Sequence, residues 1–551
     1  MYLEIKVKFM INIIPKPLQL KKKQGSFLLD KDAEISGKFP KTKEYLNDLL
    51  DEYLGFRLNS DRLGNIKFVL NKEFKEEEYE LNITPSQIKI TASSEVGAFY
   101  AIQSLRQVAL LDTIKGEASI KIPALFIHDE PRFAYRGFML DCSRHFSSVA
   151  MIKRQLDMMA LFKLNRFHWH FTDDQGWRIE IKKYPKLAEV GSIREKVALN
   201  LVSYYEGKEP YDNHEYGRGK YYTQEDAKEI VDYASRLHIT VVPEIEMPGH
   251  LVAAIASYPE ISCKGEATKV WSRYGVSKTI GCCGGEELYK FIYDIIDELV
   301  EIFPGPYFHI GGDEVPKDAW KVCPKCQAKI KELGLKCEND LQGYFNNQVL
   351  AYLNKKGKTM VAWNEAIEAS NLDGNTLIQY WIGDLKENGV LDWLDKGNNI
   401  VISSHDHLYM NHLYSQKDLP TFYSVDLDLL GIDAKYEKQI KGIEAPVWTE
   451  YIRNRRKMEF NLYPRLMAIS EINWTKKELK DYNDFEKRVI SFGPMLDAHD
   501  IIYPPKYIFN PKKKIDAKEA YKLFGIDPNR EVAKYMKHIG KVWTNDNDEW
   551  M

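Results

Sequence analysis

The sequence predicts an α/β protein, a (β/α)8 barrel of the TIM type preceded by a small α+β domain, and three observations carry that prediction. Beyond Pro131, short apolar runs alternate with amphipathic helical stretches, and eight such runs follow one another, the number a (β/α)8 barrel needs. Nearly every run ends, on its C-terminal side, in residues suited to ligand work: Asp141 and Arg144, Asp173 and Asp174, His250, Asp313 and Glu314, Trp363 and Glu365, Trp381, Tyr409, Trp448 and Glu450. In a barrel all those ends meet at one face, so residues far apart in sequence line one pocket. No glycine-rich phosphate loop follows the first run, which argues against a doubly wound open sheet.

Residues 1–130 read as the α+β domain. "NIKFVLN", "YELNIT" and "QIKITA" alternate apolar and polar residues with the period of a strand, and "SEVGAFYAIQSLRQVALL" has the period of a helix. "HDEPRFAYRG" marks the boundary, with Pro131 as the break. Residues 131–480 are the barrel, with strands predicted at "FMLDCS", "RFHWHFTD", "TVVPEIEMP", "YFHIGGDE", "MVAWNE", "LIQYWIG", "NIVISSHDH" and "IKGIEAPVWTE". Between them, Ser148 opens a helix through Val149, Ile152, Leu156 and Met159. Thr223 and Asp226 form a capping box before Ile230, Ala234 and Leu237. "EELYKFIYDIIDELVEIF" is the plainest amphipathic helix. Residues 481–551 are expected to add a helical extension and a lysine-rich tail, and residues 191–222, rich in Tyr and Gly, to shape the leaving-group side of the pocket.

Composition narrows the function. The 551 residues carry 77 Lys plus Arg against 80 Asp plus Glu, a net charge of -3, which gives no footprint for nucleic acid or an anionic membrane. The opening "MYLEIKVKFMINIIPKP" lacks the uninterrupted apolar core of a signal peptide, and no run is long enough to span a membrane, so a cytoplasmic location is expected. Seven cysteines, an odd number, fit a reducing compartment. Aromatics make up 12% of the chain, with 11 Trp, and tryptophan faces stack on pyranose rings while carboxylates and Arg bind hydroxyls.

"FHIGGDEVP" is the most pointed motif. On a regular strand Asp313 and Glu314 would face opposite ways, so two acids serving one site need the bend that Gly311 and Gly312 permit. Glycosidases use two acids, and a close pair separates in pKa. Adjacent residues are nonetheless ill placed to act as acid and nucleophile on opposite sides of one anomeric carbon.

"HIGGDE" resembles the signature of glycoside hydrolase family 20, the β-N-acetylhexosaminidases. The resemblance extends through "GAFYAIQSLRQ", "RGFMLDCSRHF", "FHWHFTDDQGWRIEI", "PEIEMPGH", "WNEA" and "VWTEYI", roughly residues 95–475. It implies an exo-acting retaining enzyme in which the substrate's own 2-acetamido oxygen attacks the anomeric carbon, giving an oxazolinium intermediate, with no metal or cofactor. By this resemblance Glu314 is the general acid and base, and Asp313 orients the acetamido group. Arg136 would fix the 3- and 4-hydroxyls with Asp173 or Asp174 nearby. Trp363, Trp381 and Trp448 would wall the pocket, Glu450 would bind the 4- and 6-hydroxyls, and His250 would tune the acids through Glu246. Tyr409 would bond the acetamido oxygen, with Tyr414 as the alternative because Leu408 stands where the family has Trp.

Two rival readings follow from the residues. "HWH" at 168–170 and "HDH" at 405–407 could hold a catalytic metal in an amidohydrolase or deacetylase. A sugar-binding protein without catalysis is the other, disfavoured because both acids are present. Cys323, Cys326 and Cys337 could serve a structural zinc given a fourth ligand, but the second half of a zinc motif is absent and reduced, unliganded thiols are expected. Cys282 and Cys283 receive no role.

Overall fold

The computed structural model describes residues 11–109, 117–195, 214–273, 275–414, 416–450 and 452–511. Most of the 191–222 loop, the first ten residues and the tail past residue 511 lie outside the described residues. The chain divides into two compact units. One holds the described residues up to Arg136 with Asp157–Leu164 and Tyr463–Tyr503, and the other holds Gly137–Leu156, Asn165–Leu462 and the described residues from Pro504.

The first unit is built on a seven-stranded sheet in the order β1-β7-β5-β6-β4-β2-β3. Its strands are β1 (Gln19–Asp30), β2 (Glu34–Gly37), β3 (Asn59–Ser60), β4 (Ile66–Leu70), β5 (Tyr79–Thr84), β6 (Gln87–Ala92) and β7 (Ser119–Asp129). Strand β5 shows why the alternation was readable: Tyr79, Leu81 and Ile83 are buried, while Glu80, Asn82 and Thr84 are half-exposed. The helix Glu95–Ala109 buries an unbroken run from Gly97 to Gln107. Strand β1 was not anticipated. Its Lys21-Lys22-Lys23 run reads as solvated surface, yet it pairs antiparallel with β7 from Gln19 opposite His128 to Asp30 opposite Ser119, as the lysine-protected edge of the sheet.

Arg136 belongs to this unit, which corrects its expected sugar-binding role. The side chain is fully buried. Nε donates to the Lys163 carbonyl (2.8 Å), Nη1 to Glu77 Oε2 (3.0 Å) and the Phe133 carbonyl (2.9 Å), and Nη2 to Glu77 Oε1 and the Tyr100 hydroxyl (both 2.8 Å). All five donors of the guanidinium are thereby used within the unit.

The second unit contains a closed barrel, β8-β9-β12-β13-β14-β15-β16-β17, whose neighbours run parallel from β8 round to β17. The strands are β8 (Tyr135–Asp141), β9 (Arg166–His170), β12 (Thr240–Glu244), β13 (Tyr307–His309), β14 (Thr359–Trp363), β15 (Leu377–Tyr380), β16 (Ile400–Ile402) and β17 (Ile440–Val447), one overlapping each predicted run, with β8 beginning three residues and β14 one residue earlier than predicted; β10 (Thr172–Asp173) and β11 (Gly176–Trp177) form a small hairpin after β9. The capping box at Thr223 and Asp226 starts the helix Gln224–Arg236, as its sequence requires. Among the described residues, no helix is long and apolar enough to cross a membrane.

The barrel interior is unusually polar. His168 Nδ1 lies 2.8 Å from Glu444 Oε1 and its Nε2 3.1 Å from Glu244 Oε2; Gln379 Nε2 donates to Glu444 Oε1 at 2.6 Å. Glu244 also pairs with His170 Nδ1 and accepts from the Trp363 indole at 2.9 Å. Gly137 makes room for this network, since a Cβ there would stand 2.6 Å from Glu444 Oε2. Burial opposes charge on His168, but Glu444 and Glu244 outweigh it and raise its pKa to about 9; Glu244 and Asp173 likewise raise His170 to about 10.

Candidate active site

The end of β13 resolves the problem of adjacent acids through its backbone. Gly311 (φ 64°) and Gly312 (φ 90°) both take left-handed conformations, and so does Glu314 (φ 47°), which swings the two carboxyls to one side. A Cβ on Gly311 would lie 1.8 Å from Glu246 Oε2, so this position needs glycine for space as well as for φ. His250 follows β12 and is itself left-handed (φ 48°). Two non-glycine residues in this sparsely populated region, facing each other, mark strain held at a functional site.

His250 joins the acids to the rest of the site. Its Nε2 is 3.4 Å from Glu314 Oε2 and 3.8 Å from Asp313 Oδ2, and its Nδ1 is 3.1 Å from Asp173 Oδ1. It therefore meets Glu314 directly, where a route through Glu246 was expected. Asp173 is the hub: Arg144 Nη2 reaches Oδ2 at 2.6 Å and His170 Nε2 reaches it at 3.1 Å. Burial would raise the Asp173 pKa, but Arg144 and His250 hold it well below the ordinary carboxylate range. Asp174 instead accepts backbone N–H groups from Val252 (3.2 Å) and Ser277 (3.1 Å), which fixes the loops after β12.

Arg144, three residues past the end of β8, stands where Arg136 was expected. Its Nη1 is 3.3 Å from Asp141 Oδ2 and 3.9 Å from Glu450 Oε1, its Nε donates to Gln175 Oε1 (2.8 Å), and its guanidinium lies 5.1 Å from the Trp448 ring centroid. The rule that barrel sites gather at the C-terminal strand ends distinguishes the two arginines, because Arg136 precedes the apolar run "FML" and Arg144 follows it. Thr449, between Trp448 and Glu450, donates its N–H and hydroxyl to Asp141 Oδ2 (both 3.0 Å), tying the end of β17 to the end of β8.

The aromatic residues converge as the sequence suggested. Trp381 and Tyr409 are near-parallel (14°) with centroids 6.1 Å apart; Trp448 lies 6.2 Å from both Tyr409 and Trp363, and Trp363 is 6.5 Å from Trp381. Trp363 is the deepest of them, anchored on Glu244, and the Trp381 indole donates to Glu365 Oε2 at 2.8 Å. Tyr414 is elsewhere, buried against Phe460, so Tyr409 is the tyrosine of this wall.

Several carboxyls here stay protonated into the neutral range. Burial pushes Asp313 up to about 7 against the pull of His250, with Glu314 adding in the same direction; burial does the same for Glu450, to about 7, against Arg144. Burial and then Asp313 hold Glu246 and Glu365 well above their ordinary values. Asp313 Oδ1 and Glu450 Oε2 are buried acceptors without a hydrogen-bond partner among the described residues, a state that a polyhydroxylated ligand relieves.

Histidine and carboxylate groups approach closely enough to share an ion at His168–Glu244–His309, His170–Asp173–Glu246, Asp173–Asp174–His250 and His250–Asp313–Glu314. The carboxylates around His168, His170 and His250 raise the pKa of those imidazoles, so an ion at these places would have to displace their protons. The "HDH" histidines lie apart from "HWH", His405 beside Asp406 (3.1 Å) and His407 beside Ser404 (3.1 Å).

Residues 133–477 match the catalytic domain of glycosyl hydrolase family 20, and residues 10–130 match domain 2 of the same family. The chain belongs to glycosyl hydrolase family 20. Within the family it is 37% identical to a β-hexosaminidase of Porphyromonas gingivalis over 90% of this chain, of which it spans 64%, and 32% identical to a β-hexosaminidase of Vibrio furnissii over 84% of this chain and 76% of that protein. The family 20 exo β-N-acetylglucosaminidase of Vibrio harveyi, solved with N-acetylglucosamine, superposes with a TM-score of 0.80 at 32% identity, covering 91% of this chain and 78% of that one.

Proposed function

We propose that the protein is an exo-acting, retaining β-N-acetylhexosaminidase that removes terminal β-linked GlcNAc or GalNAc from glycans by substrate-assisted catalysis. The observation that carries this reading is the pairing of Asp313 and Glu314 on one left-handed turn around His250, with acid oxygens and imidazole nitrogen all within 4.8 Å of one another. A carboxylate nucleophile would stand on the opposite side of the anomeric carbon from the acid, at roughly 5–5.5 Å. Two neighbouring acids instead suit one sugar ring that presents both the glycosidic oxygen and the 2-acetamido group on the same side.

Glu314, exposed at the mouth of the turn beside His250, protonates the leaving oxygen and then activates water. Asp313, once ionised, accepts the acetamido N–H and balances the positive charge of the oxazolinium. Arg144 and Glu450 hold ring hydroxyls, and Trp363, Trp381, Trp448 and Tyr409 enclose the ring.

The test is hydrolysis of the 4-nitrophenyl β-glycosides of GlcNAc, GalNAc and glucose, with NMR detection of the first-formed anomer. Cleavage of one or both acetamido sugars with the β-anomer released first, and an intact glucoside, is the expected result. Equal cleavage of the glucoside removes acetamido participation from the reading.

A further inference from the structure

Four cysteines that the proposed chemistry does not use converge near the catalytic turn. Cys282 Sγ lies 3.8 Å from Cys323 Sγ and 3.7 Å from Cys326 Sγ, Cys263 Sγ lies 3.9 Å from Cys326 Sγ, and all four sulfurs fall within 4.8 Å of one another. These separations are far too long for a disulfide, whose sulfurs are bonded at about 2.05 Å. They match the edge of a tetrahedron of thiolates around zinc, about 3.8 Å for a Zn–S bond of about 2.3 Å. Cys337, counted in the sequence as a third candidate ligand, is exposed and outside the cluster.

Three chain segments are shaped to bring the sulfurs together. Ser262 and Gly281 form an isolated antiparallel bridge, and Cys282 N–H donates to the Ile261 carbonyl at 2.9 Å, which sets Cys263 beside Cys282. Cys323 and Cys326 supply a C-x2-C turn at the start of the helix Pro324–Leu333. Gly284 lets the "CCGG" loop lie flat on that turn, since a Cβ there would come within 2.3 Å of the Lys325 carbonyl carbon and 2.4 Å of the Cys326 nitrogen. The missing half of the zinc motif was thus present, split between residues 263 and 282, where no local spacing reveals it.

We propose that Cys263, Cys282, Cys323 and Cys326 bind a structural zinc ion that ties together the loops carrying His250 and Glu314. The ligand set is closed, with no open position for a substrate or water, as structural sites are. Its thiols bind as thiolates, each releasing its proton to solvent as the metal enters. The linkage to the catalytic loops is direct: Gly281 N–H donates to the Pro248 carbonyl at 2.8 Å, two residues before His250, and Cys323 ends the short helix Asp318–Val322 that follows Glu314. Zinc removal therefore loosens the acid–histidine pair without taking away a catalytic group. It makes activity sensitive to chelators even though the metal never touches the sugar.

The deciding experiment measures metal in the full chain purified without a metal-binding tag in reducing buffer. About one zinc per chain is expected, with an X-ray absorption spectrum of four sulfur neighbours at about 2.3 Å. Cys323→Ser should lose the metal and Cys337→Ser should keep it. If Cys323→Ser does not fold, the spectrum of the wild type still decides. Absence of zinc even after reconstitution, nitrogen or oxygen neighbours in the spectrum, iron at the thiolates, or a disulfide among these four residues would each overturn the proposal. None of these outcomes depends on which glycoside is cleaved.

Discussion

Replacing each of the two arginines around β8 by methionine separates structural from substrate-contacting roles. Arg136 is buried with all five donors engaged, two of them on Glu77, whose side chain is 20% exposed. Removing one member of a buried pair costs about 3–5 kcal/mol, and the partial exposure of Glu77 places Arg136→Met near the lower end, about 3 kcal/mol. At about 2–4 °C per kcal/mol for a unit of this size, Tm should fall by roughly 6–12 °C while kcat/KM of the folded enzyme is retained. Arg144→Met should lower kcat/KM by about 10- to 150-fold, the effect of losing one charge-assisted hydrogen bond of about 1.5–3 kcal/mol to the sugar. It should also lower Tm, because Asp173 loses its 2.6 Å partner, so kcat/KM measured below the melting range is the separating readout. A large kcat/KM loss in folded Arg136→Met, alongside an unaffected Arg144→Met, would refute the reassignment.

The acid pair should respond asymmetrically. Glu314→Gln should lose kcat/KM on poor leaving groups by about 10²–10⁴-fold yet retain it on 4-nitrophenyl glycosides, whose departure needs little proton donation, while kcat falls for both because water is no longer activated, and a uniform loss of kcat/KM across leaving groups would contradict a role as general acid. Asp313 has a pKa raised to about 7 and must be ionised to act, so kcat/KM should fall as pH drops below about 7, and Asp313→Asn should abolish that limb. The sign for stability is opposite. A carboxyl whose folded pKa is raised binds its proton more tightly in the native state, so the stability contributed by Asp313 and Glu450 is full below about pH 4 and is lost as pH rises towards 7, which thermal melts without substrate would read. Gly311→Ala should reduce kcat by about 100-fold or more, since the new methyl displaces the Glu246 carboxyl and shifts the turn by about 1 Å; wild-type kinetics would show that the turn has slack.

The barrel was legible because most strands are buried, largely apolar runs closed by polar residues, while the interior polar groups His168, Gln379 and Glu444 interrupt them singly without hiding the pattern. Strands β4, β5 and β6 were legible through alternation, whereas β1 was hidden by its lysines, which sequence reads as solvent and the sheet uses as an edge. At the site, the acids, the tryptophans and Tyr409 could be named from motif and strand-end position. Arg144 was named as a strand-end group but passed over for Arg136, because the motif "RGFMLDCSRH" contains both and only the direction of the strand tells which end each occupies. The four-cysteine cluster was illegible for another reason: its pairs are joined by a β-bridge between Ser262 and Gly281 and by a glycine contact, and neither has a local signature.

The carboxyls with raised pKa give the site a thermodynamic property of its own, that of a proton buffer. Asp313 and Glu450 titrate near 7, while Glu246 and Glu365 hold their protons beyond the usual range. A ligand that carries a positive charge stabilises the ionised carboxylates and expels protons into solvent. The affinity for a ligand of fixed positive charge is thus coupled to the pH of the medium, rising with pH until Asp313 and Glu450 are ionised above about 7.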